Sequence, residues 1–232
     1  MIPSYNQRQR TRAAAAEAVA FLGQLPRERA EVIVVDDGSD PGAGVRMADL
    51  PPEVVFVGLP ENLGKGGAQR AGVARARGEH IVLTDSDLPF SLEPLAVTLA
   101  WLREDADIVI GDRLLPESAA ETQVTPARRL SSAVFTFMVK RLCRLDFDDT
   151  QCGYKGYRAA VAKALYSRLE ITSFAFEVEI LARATQAGYR IRHQPLRLVH
   201  NEDTSVRLSK HAPRMLLDTL RVAVRRTRGR YA

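Results

Sequence analysis

The sequence predicts an α/β fold: a mostly parallel sheet with helices on both faces. Two observations carry this. Short apolar runs of strand length alternate with longer stretches of helical spacing through the first half of the chain, the pattern of consecutive βαβ units. Three of those runs stop on polar or acidic residues, at Asp36 and Asp37, at Asp85 and Asp87, and at Asp112 and Arg113. In open parallel sheets, strand ends of this kind face the ligand cleft.

The elements follow in order. "MIPSYNQ" reads as the last residues of a strand entering a loop, and Ala-rich residues 10–22 as a helix stopped by Pro26. Residues 32–35 form a buried strand that halts at Asp36, Asp37 and Gly38, and "EVVFVGLP" is a further short strand. "NLGKGGAQRAGVARARG" is a glycine turn feeding a helix that ends at Gly78, "HIVLTD" is the next strand, and "ADIVIGDR" another. In the second half, residues 126–144 read as a long amphipathic helix, "DDTQCGYKGYR" as a polar, glycine-bearing loop, and residues 161–169 as a helix. "SFAFEVEILARATQAG" is a helix closed by Gly188, and "YRIRHQPLRLVH" alternates like a strand broken at Pro195. Residues 210–228 are helical, with Pro213 in the first turn. No Pro-, Gly- or Ser-rich linker divides the chain, so one domain is expected over residues 1–232, with residues 1–113 as a nucleotide-binding half and 114–232 as an acceptor-binding half.

Composition excludes several classes. Hydrophobic residues are 46% and charged residues 26%, ordinary values for a soluble globular chain. No apolar run approaches the roughly 20 residues that span a bilayer, and polar residues follow Met1, so a cytoplasmic protein is expected. Cys143 and Cys152 fit neither a disulfide framework nor a zinc pattern, and the four histidines are scattered. The net charge of +5 calls for an anionic partner. A nucleic acid is disfavoured, because the basic residues are not interleaved with exposed aromatics and no recognised motif is present.

"TDSDLPF" places Asp85 and Asp87 one residue apart at the end of a strand. Such a pair is either a solvated turn or part of a divalent-cation site completed by substrate phosphates. The glycines of "NLGKGGA" fit neither the phosphate loop nor the dinucleotide fingerprint. They leave a helix start where the backbone packs closely and Lys65 can face the cleft.

The ordered set "IPSYN", "VVDDGS", "NLGKGGA", "TDSD", "GDR" and "DTQCGYK", with the later "EDTSVRLSKHAPRMLLD", resembles the inverting family 2 glycosyltransferases of the GT-A fold. Within them it resembles the branch making dolichyl- or polyprenyl-phosphate mannose and glucose. The resemblance implies that Asp85 and Asp87 hold Mg2+ or Mn2+ against the diphosphate of a GDP- or UDP-hexose, with Ser86 and Lys65 at the same nucleotide sugar. Pro3, Tyr5 and Gln7 would line the nucleoside pocket, Asp36 would touch the base and Arg113 would bind phosphate. The chain departs from the family at Gln7, where Glu is usual, at Ser86, where Ala is, and at Pro89, where a metal-side glutamine is frequent. Asp149 and one of Glu177 and Glu179 compete for a sugar-contacting role, because within a helix the two glutamates point to different faces. Arg128, Arg129, Arg207 and Lys210 are the candidates for the acceptor phosphate. Trp101 and the aromatics of "VFTFMV" read as core.

The implied reaction is inverting transfer of mannose or glucose to a polyprenyl or dolichyl phosphate. A soluble or natural-product acceptor, and a catalytically silent nucleotide-binding module, stand as alternatives. Only Met1 and Ile2 precede the first loop, where family members carry several apolar residues, so the first strand is expected to be short. In the tail, Arg214, Arg221, Arg225 and Arg228 share one helical face, with Leu216, Leu217, Leu220 and Val224 largely elsewhere. Two readings follow: a helix resting peripherally on the cytoplasmic face of an anionic membrane, or one packing its leucines on the domain and solvating its arginines.

Overall fold

The apolar run "VIVVD" frames the sheet, because its side chains go alternately to opposite faces and both faces are covered. In a computed structural model, which describes residues 1–25, 29–120, 126–199 and 208–231, this run is β2 (Val32–Asp36). Ile33 and Val35 enter one hydrophobic cluster, and Val32 and Val34 enter another. β1 (Ile2–Ser4) and β3 (Val54–Gly58) flank β2 in parallel, Ile2 opposite Val34 and Val34 opposite Phe56. β4 (His80–Leu83) joins β1 through backbone hydrogen bonds from Met1 to Val82 and from Thr84 to Met1, at 2.7 and 3.1 Å. β1 has three residues, short as expected.

Beyond β4 the order runs β4, β7 (Lys155–Arg158), β5 (Ile108–Asp112), β8 (Ile191–Pro195), with β8 parallel to β5. β7 is antiparallel to both its neighbours. Two-residue strands β6 (Ala119–Ala120) and β9 (Arg197–Leu198) pair beside this sheet, β9 following the break at Pro195.

On the first face, α1 (Arg8–Gly23) buries Ala14, Ala15 and Ala18 against Ile2, Val32 and Val34. α3 (Leu95–Glu104) sets Leu102 on Val109. The opposite face carries α2 (Gly64–Arg75), α5 (Ala159–Ser167) and α6 (Phe176–Gln186), whose apolar residues join Ile33, Val35, Ile81, Leu83, Ile108 and Ile110 in one core. α4 (Pro126–Cys143) and α7 (Leu208–Thr227) pack together at its edge. Helices on both faces of a mostly parallel sheet are what the sequence predicts.

Several expectations are corrected. "DDTQCGYKGYR" is not wholly a loop, since its last four residues are β7 in the middle of the sheet. α3 had no sequence assignment, and α2 stops at Arg75 rather than at Gly78. α7 begins two residues early, so Pro213 falls in its second turn. Phe135 packs on the core as expected, but Phe137 of the same helix is exposed, and Trp101 is half-buried with the Arg192 guanidinium 4.5 Å above its ring. Pro26 lies outside the described residues. Among the described residues no helix is long and apolar enough to cross a membrane.

Candidate active site

The carboxyl ends of β1, β2 and β4, the start of α2 and the loop before α6 surround one cleft. Pro3, Tyr5 and Gln7 line it from the β1 end, with Asp85, Ser86 and Asp87 from the β4 end. The two ends are tied together, since the Ser86 hydroxyl donates to Gln7 Oε1 at 3.0 Å. Lys65 reaches in from α2, and Arg214 and Met215 from α7 close the far wall.

At β2 the paired aspartates divide their work. Asp36 accepts both the Ser39 amide at 3.0 Å and the Ser39 hydroxyl at 2.7 Å, so its carboxylate shapes the turn and is not among the residues lining the cleft. Asp37, which the sequence reading placed at a cleft-facing strand end without a ligand role, does line it and accepts the Leu63 amide at 2.9 Å. Burial pushes the Asp37 carboxyl above the usual carboxylate range, partly opposed by the Leu63 and Gly64 amides.

Asp85 sits in a cluster of alternating charge. Lys65 Nζ lies 2.7 Å from Asp85 Oδ1 and 3.7 Å from Glu177 Oε1. Lys155 Nζ, on a side chain only 2% exposed, meets Glu177 Oε2 and donates to the Cys152 carbonyl, each at 2.5 Å. The contact with Glu177 is an ion pair rather than an aligned hydrogen bond. Burial alone would raise the Asp85 pKa, but Lys65, with Lys155 and Arg113 beyond it, holds it below the ordinary value. Burial and then the neighbouring Asp85 charge push Asp87 the other way. Gly153 gives Asp85 its room, since a Cβ there would stand 2.1 Å from Asp85 Oδ2.

Arg113 and Asp149 form a bidentate pair, Nε to Oδ2 and Nη2 to Oδ1 both at 2.7 Å, strengthened by the Arg113 amide at 3.1 Å. Burial opposes ionisation of Asp149, and Arg113 outweighs it and depresses its pKa. Neither residue is among those lining the cleft. The two glutamates of α6 diverge as helix geometry expects. Glu177 turns to the lysines, whereas Glu179 accepts the Ile171 amide at 2.8 Å and Arg183 Nε at 2.9 Å, anchoring the loop whose Thr172, Ser173 and Phe174 line the cleft. Arg128 and Arg129 stand in the first turn of α4 and Lys210 in that of α7, with their side chains outside the described structure, as is all of Arg207.

Among the described residues no cluster of three His, Cys, Asp or Glu side chains could enclose a metal ion. Asp85 and Asp87 nevertheless suit a hard divalent cation, because such ions accept two carboxylates and take their remaining oxygens from phosphate and water. Burial and then the like charge of Asp85 raise Asp87, and a cation between the two carboxylates would offset both.

This arrangement is the fold of the GT-A glycosyltransferases. Mannosyl-3-phosphoglycerate synthase from Rubrobacter xylanophilus superposes with a TM-score of 0.68 at 18% identity, covering 99% of this chain and 73% of that one. Glucosyl-3-phosphoglycerate synthase from Mycobacterium tuberculosis, solved with Mn2+ and UDP, gives 0.62 at 16% identity, covering 97% and 77%. The chain belongs to glycosyl transferase family 2, whose sequence profile matches residues 1–166. Among curated relatives, dolichyl-phosphate beta-glucosyltransferase ALG5C of Trichomonas vaginalis is 27% identical over 97% of this chain and 70% of its own length. The human dolichyl-phosphate beta-glucosyltransferase is 34% identical over 78% of this chain, and the match spans 60% of the human protein. Glycosyltransferase AglD of Haloferax volcanii is 29% identical over 90% of this chain, which covers 34% of that longer protein.

Proposed function

We propose that the chain is an inverting hexosyltransferase that moves glucose, or alternatively mannose, from a nucleoside diphosphate sugar to a polyprenyl phosphate. The observation that carries this reading is the pairing of Asp85 and Asp87 at the end of β4, in a cleft that Lys65 enters from α2. The names of the family 2 relatives favour glucose and a dolichyl phosphate acceptor. A divalent cation held by Asp85 and Asp87 would neutralise the leaving diphosphate and act as Lewis acid.

The chain's own residues would do the rest. Pro3, Tyr5 and Gln7 receive the nucleoside, with Gln7 fixed by Ser86. Lys65 sits where it can pass from Asp85 to the diphosphate, and Glu177 keeps it charged and aimed. An acceptor phosphate oxygen attacks the anomeric carbon as the bond to the diphosphate oxygen breaks on the opposite side. A phosphate monoester has its second pKa near 6, so this nucleophile is already anionic and needs no base. That matches the commitments of the neighbouring carboxylates: Glu177 faces two lysines, Glu179 faces Arg183 and Asp149 faces Arg113. Arg214 at the cleft wall, with Arg128, Arg129, Arg207 and Lys210 as further candidates, would gather the acceptor's charge.

Release of nucleoside diphosphate from UDP-glucose and from GDP-mannose, measured with and without polyprenyl phosphate, tests the reading. Turnover that needs both the lipid phosphate and Mg2+ or Mn2+, and that Asp87→Asn nearly abolishes without a change in thermal stability, is expected. Full activity in EDTA, or turnover only with a hydroxyl acceptor, would reject it.

A further inference from the structure

The outward face of α7 meets the cleft only at its N-terminal end, where Arg214 lines the wall. Around this helix Asp218, Thr219, Val222 and Ala223 turn inward and are buried, with the Cys143 thiol of α4 against the Thr219 carbonyl. Asp218 accepts the Ser173 hydroxyl at 2.7 Å, which ties α7 to the loop lining the cleft. Leu216, Leu217, Leu220 and Val224 stand 39%, 58%, 40% and 48% exposed. At 3.6 residues per turn these four occupy one side of the outward arc, and Arg214, Arg221, Arg225 and Arg228 occupy the adjoining side. The helix therefore buries Asp218, Thr219, Val222 and Ala223 while leaving Leu216, Leu217 and Leu220 partly in water, so these three leucines do little to hold the domain together. A contiguous apolar stripe of this kind marks a surface that something else covers.

Charge identifies what covers it. From residue 208 to the C-terminus there are seven lysines and arginines and a single acidic residue, Asp218, which is buried. Arg221 is engaged by Asp218 at 2.6 Å and Arg225 by Glu170 at 2.9 Å. Arg228 and Arg230, both exposed, have no acidic partner within ion-pair distance among the described residues. Both border the same shallow concavity as Leu217, Leu220 and Val224. Parallel apolar and arginine stripes on one exposed arc match a lipid surface, where leucines enter the acyl boundary while guanidinium groups stay with anionic headgroups. The same helix contributes Arg214 and Met215 to the cleft wall, so a surface lying along α7 runs up to the cleft mouth.

We propose that the outward face of α7 seats this protein on an anionic bilayer, with Leu216, Leu217, Leu220 and Val224 dipping below the headgroups and Arg228 and Arg230 held among them. This deepens the acceptor reading above, because it presents the cleft to the leaflet that holds a polyprenyl phosphate, yet it rests on α7 alone. Its test therefore uses vesicles that contain no polyprenyl phosphate.

Cosedimentation is measured with vesicles of phosphatidylcholine and phosphatidylglycerol, and with phosphatidylcholine alone. The protein should partition to the anionic vesicles and leave them as salt shortens the screening length. Arg228→Gln with Arg230→Gln should weaken partitioning roughly fivefold per arginine. Leu217→Gln with Leu220→Gln and Val224→Gln should abolish it, while circular dichroism and the melting temperature stay at wild-type values. Absence of binding to anionic vesicles at low salt, equal binding to both vesicle types, or undiminished binding by the triple variant would each overturn the proposal. A dimer in light scattering that the triple variant dissolves, with no vesicle binding by either protein, would overturn it in favour of a second copy of the chain.

Discussion

Glu177→Gln removes one charge from the deepest ion pair of the site. Lys155 has its side chain 2% exposed and Glu177 4%, and the remaining contact of Lys155 Nζ is the Cys152 carbonyl. Amidation therefore leaves a buried ammonium ion whose nearest partners are neutral acceptors, with the charges of Asp85 and Asp149 farther off. Breaking a buried pair from one side costs about 3–5 kcal/mol, far more than the roughly 0–1 kcal/mol of an exposed pair. For a domain of this size each kcal/mol lowers the melting temperature by about 2–4 °C, so a fall of roughly 6–20 °C is expected. Urea unfolding should show a lower midpoint with an unchanged slope, which places the loss in the folded state. Lys140→Gln, which removes an exposed pairing with Asp146 and Asp148, serves as the control and should shift the midpoint by no more than about 4 °C. Replacing both partners, Lys155→Met with Glu177→Met, should recover at least half of the loss, because it leaves no unpaired charge between them. A single-variant fall smaller than that of the Lys140→Gln control, or a double variant no better than the single, would refute the reasoning that this pair is buried and mutually dependent.

Other expectations follow from the same geometry. Gly153→Ala puts a methyl group where the Asp85 carboxylate lies, so calorimetric Mn2+ affinity should fall by an order of magnitude or more while the circular dichroism spectrum is kept. Asp149→Asn should destabilise the protein by roughly 1–2 kcal/mol at pH 7, a modest figure because the Arg113 side chain keeps 36% of its exposure. Since Arg113 depresses the folded-state pKa of Asp149, that stabilisation is present above the ordinary aspartate value near 4 and is lost as pH falls through the lower folded value. Urea midpoints of wild type and variant should therefore converge only below about pH 4. Burial pushes the Cys143 and Cys152 thiols up to about 11 and about 12, so a thiol-specific chromogenic reagent at pH 8 should titrate neither in the native protein and both in urea.

Much of this was legible in the residue pattern, for physical reasons that differ by element. β2, β4 and β5 were readable because continuous apolar runs of three or four residues, closed by polar residues, suit strands covered on both faces. The pairing of Asp85 with Asp87 was readable only beside the other motifs, because two carboxylates at a strand end suit a solvated turn as well as a cation. β7 was not, because a strand containing a lysine and a glycine looks like a loop until Glu177, more than twenty residues later, is seen to satisfy the lysine. α3 carries Leu, Val, Thr and Trp in a mixture that suits either period, so spacing alone does not assign it. Phe137 was misread because both aromatics of the run were taken as core, whereas α4 turns Val134 and Phe137 outward. Asp36 and Asp37 were adjacent in sequence and separable only by their hydrogen-bond partners, Ser39 for the first and Leu63 for the second.

The antiparallel strand β7, wedged between β4 and β5, also dictates when the molecule can become itself. During synthesis β4 and β5 emerge with no strand between them, and each presents bare amides and carbonyls until residues 155–158 arrive some forty-five residues after β5. The cleft, lined also by Thr172, Ser173, Phe174 and Arg214, therefore cannot be finished early and held in readiness while the rest of the chain follows. A nascent chain halted after residue 113 would leave one edge of β4 and both edges of β5 bare, and fragments ending there should clump. β7 joins β4 to β5 and brings Lys155 close enough to Asp85 to lower its pKa, and β8 covers the other edge of β5 only later still.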